Sequence, residues 1–133
     1  RPLLMTEYEK ETDSMLTIYG LSHCSTTKKA ANYLIAEGIE MGDIIDIRET
    51  PPTKEVIQLA VAANGGQVKK IINTSGNLYR EMDLKDRLAE MSNDDVVALL
   101  HENGMLIKRP LIANGEKATV SAKESLLAAA WLS

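Results

Sequence analysis

The chain contains 133 residues, 44% of them hydrophobic and 26% charged, a composition that fits one folded domain with an apolar core. Only 4% are aromatic and the formal net charge is -4, so neither a base-stacking surface nor a cationic interface for DNA or RNA is expected. One cysteine cannot form a disulfide within the chain, and no apolar run approaches the roughly 18 residues of a membrane span, so we expect a cytoplasmic protein.

Residues 1–14 are expected to lie outside the folded part of the chain. They carry several acidic side chains and lack the apolar stretch of a signal peptide. We interpret them as a flexible N-terminal extension, part of it foreign to the natural protein, which would then start at Met5 or Met15. Residues 15–133 are expected to form one domain, because no repeat, low-complexity tract or linker interrupts them.

The first ordered segment predicts a strand, a helix and a second strand. Residues 16–19 alternate as in a β-strand, which ends at Gly20. Small and aliphatic residues then recur at helical spacing; the hydroxyl residues before them can cap the helix, and Gly38 stands where it would end. Residues 41–47 are rich in isoleucine and predict the second strand. Two strands joined by a helix form a βαβ unit with parallel strands.

The middle of the chain is predicted to be helical. Thr53 follows two prolines and starts a helix that the glycines at 65–66 end. A shorter helical stretch is predicted over residues 85–91. The sequence of residues 92–95 is a capping box that starts a helix ending at Gly104, and His101 is expected to interact with the negative end of its dipole.

The C-terminal part predicts a β-hairpin and a helix. Residues 111–113 and 117–120 are apolar runs joined through Asn114–Gly115, a strong hairpin signal. Residues 121–124 form a second capping-box pattern before a helix. The predicted fold is therefore α/β: a thioredoxin-like four-stranded mixed sheet flanked by helices, with a helical insertion between the N-terminal β-α-β unit and the C-terminal hairpin and helix.

Cys24 is the candidate nucleophile. A lone cysteine is usually a small buried hydrophobe, but this one lies at a strand-to-helix turn, where unpaired N–H groups and the helix dipole stabilise a thiolate. His23 is a candidate modulator of its pKa. The residues after it offer hydroxyl donors and positive charge to the sulfur or to a bound anion: Ser25, Thr26, Thr27, Lys28 and Lys29. The alternative for the lysines is a solvated helix face.

Three segments resemble the arsenate reductase (ArsC) and Spx-related proteins of the thioredoxin-like superfamily. They are I-Y-G-L-S-H-C-S-T-T-K-K at 18–29, I-I-N-T-S-G-N-L-Y-R-E at 71–81 and L-I-K-R-P-L-I at 106–112, and the resemblance covers nearly all of residues 16–132. It implies that Cys24 is the catalytic cysteine, that Lys28 stands where arsenate reductases carry a basic residue, and that Arg109 binds an oxyanion. It also implies a cis peptide bond before Pro110.

The chain departs from this family in two respects. Arsenate reductases present further arginines in the regions that match residues 73–75 and 120–121, and neither region contains arginine here. Since each arginine supplies bidentate hydrogen bonds to an anion, efficient arsenate turnover is not expected. Spx-type redox sensors use a C-x-x-C pair, and Thr27 occupies the position of its second cysteine, which excludes an internal disulfide switch.

The leading hypothesis is a thiol-dependent reductase with one nucleophilic cysteine and no bound cofactor. Its partners would be a small-molecule thiol or oxyanion, with glutathione or another external thiol to resolve the adduct, since the chain has no second cysteine. Arg109 and Lys28 would hold the anion or a glutathione carboxylate. No metal site, membrane or direct nucleic-acid partner is expected. The alternatives are an Spx-like regulator that binds RNA polymerase without catalysis of its own, and a family member with neither activity.

Overall fold

A four-stranded sheet forms the centre of the structure, a computed structural model that describes residues 15–132. Within these residues the elements in chain order are β1 (Leu16–Gly20), α1 (Ser25–Ala36), β2 (Met41–Asp46), α2 (Lys54–Ala63), α3 (Asn77–Glu81), α4 (Leu84–Arg87), α5 (Asn93–Glu102), β3 (Leu111–Ala113), β4 (Ala118–Thr119) and α6 (Glu124–Trp131). Short 3₁₀ helices lie at Val68–Ile71, Leu88–Glu90 and Gly104–Leu106. None of the helices in this part of the chain is long and apolar enough to cross a membrane. The expected N-terminal extension lies outside the described residues.

The sheet has the strand order β2-β1-β3-β4 and is mixed. The first pair, β1 and β2, is parallel, as its helical crossover requires. Strand β3 pairs antiparallel with both β1 and β4. The helices between β2 and β3 form the insertion. This is the predicted thioredoxin-like α/β fold, and the structure confirms it.

The two faces of the sheet bury two separate apolar clusters. Because successive side chains of a strand point to opposite faces, Ile112 packs with Ile18 against α1 and α6, whereas Leu111 and Ala113 pack against the insertion. The insertion cluster is the larger one and contains most of the buried aliphatic side chains. The absence of Phe from the sequence therefore leaves a core made of Ile, Leu, Val and Ala.

Helix starts follow the sequence signals at two places and depart from them at two others. The Thr53 hydroxyl accepts a hydrogen bond from the Val56 N–H at 3.2 Å, and Ser92 and Asp95 form the predicted capping box reciprocally. The predicted capping box at 121–124 is wrong: α6 begins at Glu124 with Lys123 as its N-cap, and the Ser121 hydroxyl accepts from the Lys123 N–H at 3.0 Å instead. At α1 the N-cap is Cys24 itself rather than a hydroxyl residue.

The helical stretch predicted over residues 85–91 is present, and it consists of α4 followed directly by the 3₁₀ helix at Leu88–Glu90. Asp83 adopts a left-handed conformation with φ of 53°, which aspartate tolerates better than most residues. This conformation separates α3 from α4, and the chain then changes to 3₁₀ geometry at Leu88–Glu90 before the Ser92 cap. The insertion thus contains short helical pieces whose lengths periodicity alone does not reveal.

Replacing Ser92 with alanine should destabilise the fold by about 1 kcal/mol, since the change removes one of the two reciprocal hydrogen bonds and leaves the Asp95 N–H unpaired. Chemical denaturation monitored by circular dichroism would measure this loss. Ser125→Ala is the matched control, because Ser125 is exposed and lies inside α6. Equal midpoints for the two variants would contradict a stabilising role for the capping box.

Candidate active site around Cys24

The β1–α1 turn places Cys24 at the N-terminus of a 12-residue helix. The Cys24 N–H donates to the Leu21 carbonyl at 2.9 Å, which closes the turn, and the Cys24 carbonyl accepts from the Lys28 N–H at 3.1 Å, which starts the helix. The thiol is half-buried and does not form a disulfide. A sulfur in this position lies beside backbone N–H groups that have no partner within the helix.

The environment of Cys24 lowers its pKa below the ordinary value of a cysteine. The largest cause is the backbone N–H of Thr27, directed at the sulfur; burial opposes it, and smaller contributions come from the Thr27 hydroxyl and from Thr26. A hydrogen-bond donor favours the charged form of an acceptor. The predicted stabilisation of a thiolate at the start of this helix therefore has a local physical basis.

Thr27 is held under the turn by close packing against Gly20. Its side chain is fully buried, and a Cβ added to Gly20 would lie 2.6 Å from the Thr27 hydroxyl and methyl group. Within residues 15–132 the Thr27 hydroxyl makes no hydrogen bond of standard geometry, although it lies near enough to the Cys24 sulfur to favour the thiolate. A buried hydroxyl without an acceptor raises the free energy of the folded state. The Cys24 thiolate can accept a hydrogen bond from this hydroxyl, and the bond stabilises the charged form of the thiol.

Thr27→Val should raise the pKa of Cys24 toward the ordinary value without reaching it, because the Thr27 N–H remains. Alkylation by iodoacetamide near neutral pH should become slower by about threefold to tenfold, as expected for loss of one donor to a charged acceptor. At acidic pH, where the Cys24 thiol is neutral, the free energy of unfolding should not fall, since the lost hydroxyl has no other partner among the described residues. Thr26→Val, at an exposed position with a weaker effect on the thiol, is the control. An unchanged alkylation profile in Thr27→Val would contradict this role.

Cys24 opens into a cleft of about 450 Å³ between the β1–α1 turn, the insertion and the start of α6. The lining residues come from six separate stretches of the chain: Cys24, Thr26, Asn64, Lys70, Asn73, Lys108, Arg109, Val120, Ser121, Ala122 and Leu126. Three of them are cations, and among the described residues no carboxylate lines the cleft, although the chain has 19 acidic residues. The cleft is therefore locally suited to an anion despite the negative net charge.

Backbone carbonyls hold Arg109 in position. One guanidinium nitrogen, NH1, donates to the Met105 carbonyl at 3.0 Å and the Ile107 carbonyl at 3.4 Å. The side chain is half-buried and lies between the cleft and a neighbouring pocket behind Asn73. The Arg109–Pro110 peptide bond is cis. With NH1 engaged, the remaining guanidinium nitrogens are the ones that can bind an anion.

The insertion brings two further polar residues to the cleft. The Lys108 N–H donates to the Ile71 carbonyl at 2.9 Å, and the Asn73 N–H donates to the Leu106 carbonyl at 2.7 Å, so the segment after Lys70 pairs with the segment before β3. An antiparallel bridge between Ile72 and Ile107 lies between these two bonds. This pairing places Lys70 and Asn73 beside Arg109.

Several residues that the sequence singled out lie outside the cleft. Lys28 is exposed on α1 and does not line it, and neither do Ser25 and His23. Within the described chain the cations of the cleft are Lys70 and Lys108 together with Arg109, so the expected pairing of Arg109 with Lys28 is not the arrangement observed.

His101 is likewise remote from Cys24 in its contacts. It lies in the last turn of α5, as expected for a dipole partner, and its Nδ1 donates to the Pro52 carbonyl at 2.8 Å. Over residues 15–132, no three His, Cys, Asp or Glu side chains are grouped so that they could hold a metal ion. The cleft residues that the sequence analysis missed, Lys70 and Lys108 above all, carry no motif that separates them from ordinary surface lysines.

Similarity to known proteins extends over most of the chain. Residues 19–129 match the ArsC family. Uncharacterized protein YusI of Bacillus subtilis (strain 168) is 44% identical over 87% of this chain and 98% of its own length. Regulatory protein MgsR of the same strain is 26% identical over 81% of this chain and 83% of its own length. An arsenate reductase of Escherichia coli is 26% identical over 74% of this chain and 68% of its own length. The crystal structure of a possible arsenate reductase from Streptococcus mutans UA159 is similar with a TM-score of 0.73 and 38% identity, covering 85% of this chain and 98% of that one.

Proposed function

This chain belongs to the ArsC family, and we propose that it is a cytoplasmic thiol-dependent reductase in which Cys24 is the only nucleophile. The observation that carries the proposal is the position of Cys24: a half-buried thiol at a helix N-terminus, opening into a cleft that three cations line. A low-pKa thiol next to positive charge is the environment that reactive cysteines require.

The reaction proceeds by thiol-disulfide exchange. The Cys24 thiolate attacks one sulfur of a disulfide; the substrate S–S bond breaks, a Cys24–sulfur bond forms, and the other half leaves as a thiolate with the electron pair. A second thiol, such as glutathione, then attacks the mixed disulfide and releases Cys24. The second thiol must come from outside, because the chain contains one cysteine.

Disulfide exchange fits this cleft better than arsenate reduction does. Arsenate is small and highly charged, and its reduction needs several preorganised donors. At the two places where arsenate reductases are expected to present arginine, Asn73 and Ser121 line the cleft instead, and NH1 of Arg109 already donates to backbone carbonyls. A carboxylate of a thiol compound carries less charge and needs fewer donors, which Arg109, Lys70 and Lys108 supply.

Incubation with oxidised glutathione followed by intact-protein mass spectrometry tests the proposal. We expect a single glutathione adduct that an excess of reduced glutathione removes, together with weak arsenate reduction in a glutathione-coupled assay. A protein that never acquires the adduct would refute the exchange reaction. Rapid arsenate turnover would show that Asn73 and Ser121 suffice where arginines were expected.

A second candidate function is regulation, and the similarity to Regulatory protein MgsR favours it. In this case the insertion would contact RNA polymerase, and the Cys24 site would have little chemistry of its own. Affinity capture of RNA polymerase subunits by the full chain separates the two candidates. Polymerase capture by a protein without exchange activity would make regulation the better assignment.

A further inference from the structure

An apolar recess of about 310 Å³ adjoins the Cys24 cleft, with which it shares Asn64, Val120, Ser121 and Leu126. It lies between the end of α2, strand β4 and α6, and its lining includes the small side chains of Ala63 and Ala130. A dry apolar cavity of about 150 Å³ is large enough to bind benzene. The recess therefore has room for a ring-sized group next to the site of exchange.

Leu126 marks the junction of the cleft and the recess. It lines both spaces and is 53% exposed, which is uncommon for a large hydrophobic residue in the described part of the chain. A ligand that spans the two spaces would cover it and gain apolar contact.

The charges are distributed unequally between the two spaces. Lys70, Lys108 and Arg109 line the cleft alone. Lys117 is the cation of the recess, but its ammonium group lies 5.0 Å from the centre of the Trp131 ring and donates to the Ala130 carbonyl. A ligand thus meets available positive charge at one end and mainly apolar surface at the other.

We propose that the recess is a second subsite, and that Cys24 prefers disulfides whose halves each join a carboxylate to an apolar group the size of a ring. The inference rests on the proposed exchange function and names its substrate class. The apolar group enters the recess beside Leu126, its carboxylate faces the cleft cations, and its sulfur reaches Cys24. Glutathione satisfies the charge requirement but has no group that fills the recess.

The exchange step is balanced without a further reactant. The Cys24 thiolate attacks the sulfur of the half seated in the recess, that half stays on Cys24 as a mixed disulfide, and the other half leaves as a thiolate with the electron pair of the broken S–S bond. An external thiol restores Cys24 as before.

Exchange rates of the whole chain with three disulfides test the preference. The probes are dithiobis(nitrobenzoate), which has both a ring and a carboxylate; dithiodipyridine, which has the ring alone; and oxidised glutathione. The rate of each probe with the protein is divided by the rate of the same probe with N-acetylcysteine under the same conditions. This ratio removes differences in intrinsic reactivity between the probes. We expect the normalised rate for dithiobis(nitrobenzoate) to exceed that for oxidised glutathione by about tenfold or more, a typical discrimination for one well-fitting apolar group. It should also exceed the rate for dithiodipyridine, which has the ring but lacks the carboxylate that the cleft cations bind.

A variant in which the recess is filled tests whether the recess causes this preference. Ala63 is exposed at the end of α2 and lines the recess but not the cleft, so Ala63→Leu reduces the recess and leaves the cations in place. The matched control is Ala62→Leu, one residue earlier, exposed and outside both linings. Ala63→Leu should lose most of the tenfold preference, and Ala62→Leu should keep it.

Two further measurements separate failure of this inference from failure of the proposed function. Iodoacetamide alkylation reports the reactivity of Cys24 alone, and it should be equal in both alanine variants and the wild type. Titration of naphthoate into Cys24→Ser, followed by NMR, should shift resonances of residues 118–121 without any reaction. The subsite would be overturned if Cys24 is reactive but shows no preference among the probes. It would also be overturned if Ala63→Leu keeps the preference of the wild type. An unreactive Cys24 would overturn the exchange function, and naphthoate binding would then decide the recess by itself.

Discussion

Cys24→Ser is expected to abolish every covalent reaction of this protein: no glutathione adduct, no alkylation by iodoacetamide and no turnover in a glutathione-coupled assay. The reason is that the chain contains one cysteine and a serine hydroxyl is not ionised at neutral pH, so no other side chain can replace the thiolate. Intact-protein mass spectrometry would show the wild type modified once and the variant not at all. Adduct formation in Cys24→Ser would exclude Cys24 as the nucleophile.

A relocated thiol separates the effect of position from the effect of having a cysteine. In the double variant Cys24→Ser/Ser25→Cys the composition is unchanged, but the thiol moves to an exposed position that does not line the cleft. We expect alkylation to be slower than in the wild type, because the sulfur leaves the position that the Thr27 N–H faces, and we expect little discrimination among disulfides. Reactivity equal to that of the wild type would mean that the cleft contributes nothing to the chemistry.

Gly104→Ala is expected to destabilise the fold by about 3 kcal/mol or more, a large part of the stability of a small domain. Gly104 is buried between α5 and the strand β3, and an added Cβ would overlap the backbone carbonyl of Ile47, the residue after β2. A carbonyl group of the backbone cannot rotate away as the end of a long side chain can, so the chain itself must move. The midpoint of urea denaturation should fall sharply.

Gly42→Ala is the matched control for this variant. Gly42 lies in β2, and a Cβ there would meet its nearest neighbours, the Leu16 carbonyl and the Met15 sulfur, at 3.8 Å, an ordinary van der Waals distance. We expect its free energy of unfolding to change by only about 0.5 kcal/mol. Similar losses in Gly42→Ala and Gly104→Ala would show that the overlap with Ile47 is not the cause.

Local signals explain the elements that the sequence predicted well. The capping box at Ser92 and the cap at Thr53 need only residues three positions apart, and both form as expected. Asn114 accepts from the Glu116 and Lys117 N–H groups and closes the hairpin turn within four residues. The prediction failed where the same side chain can form more than one local hydrogen bond. The Ser121 hydroxyl accepts from the Lys123 N–H and does not cap α6.

The sequence by itself determined the strand-helix order of the fold and the position of Cys24 at a helix start, because periodicity and helix capping act over a few residues. Only the tertiary structure decided what surrounds the thiol. Arg109 lies 85 positions after Cys24, and Lys70 reaches the same cleft because the insertion pairs with the segment before β3. Lys28, one turn from the thiol in sequence, is exposed outside that cleft. Proximity in space depends on strand order and long-range hydrogen bonds, and residue spacing along the chain carries no information about either.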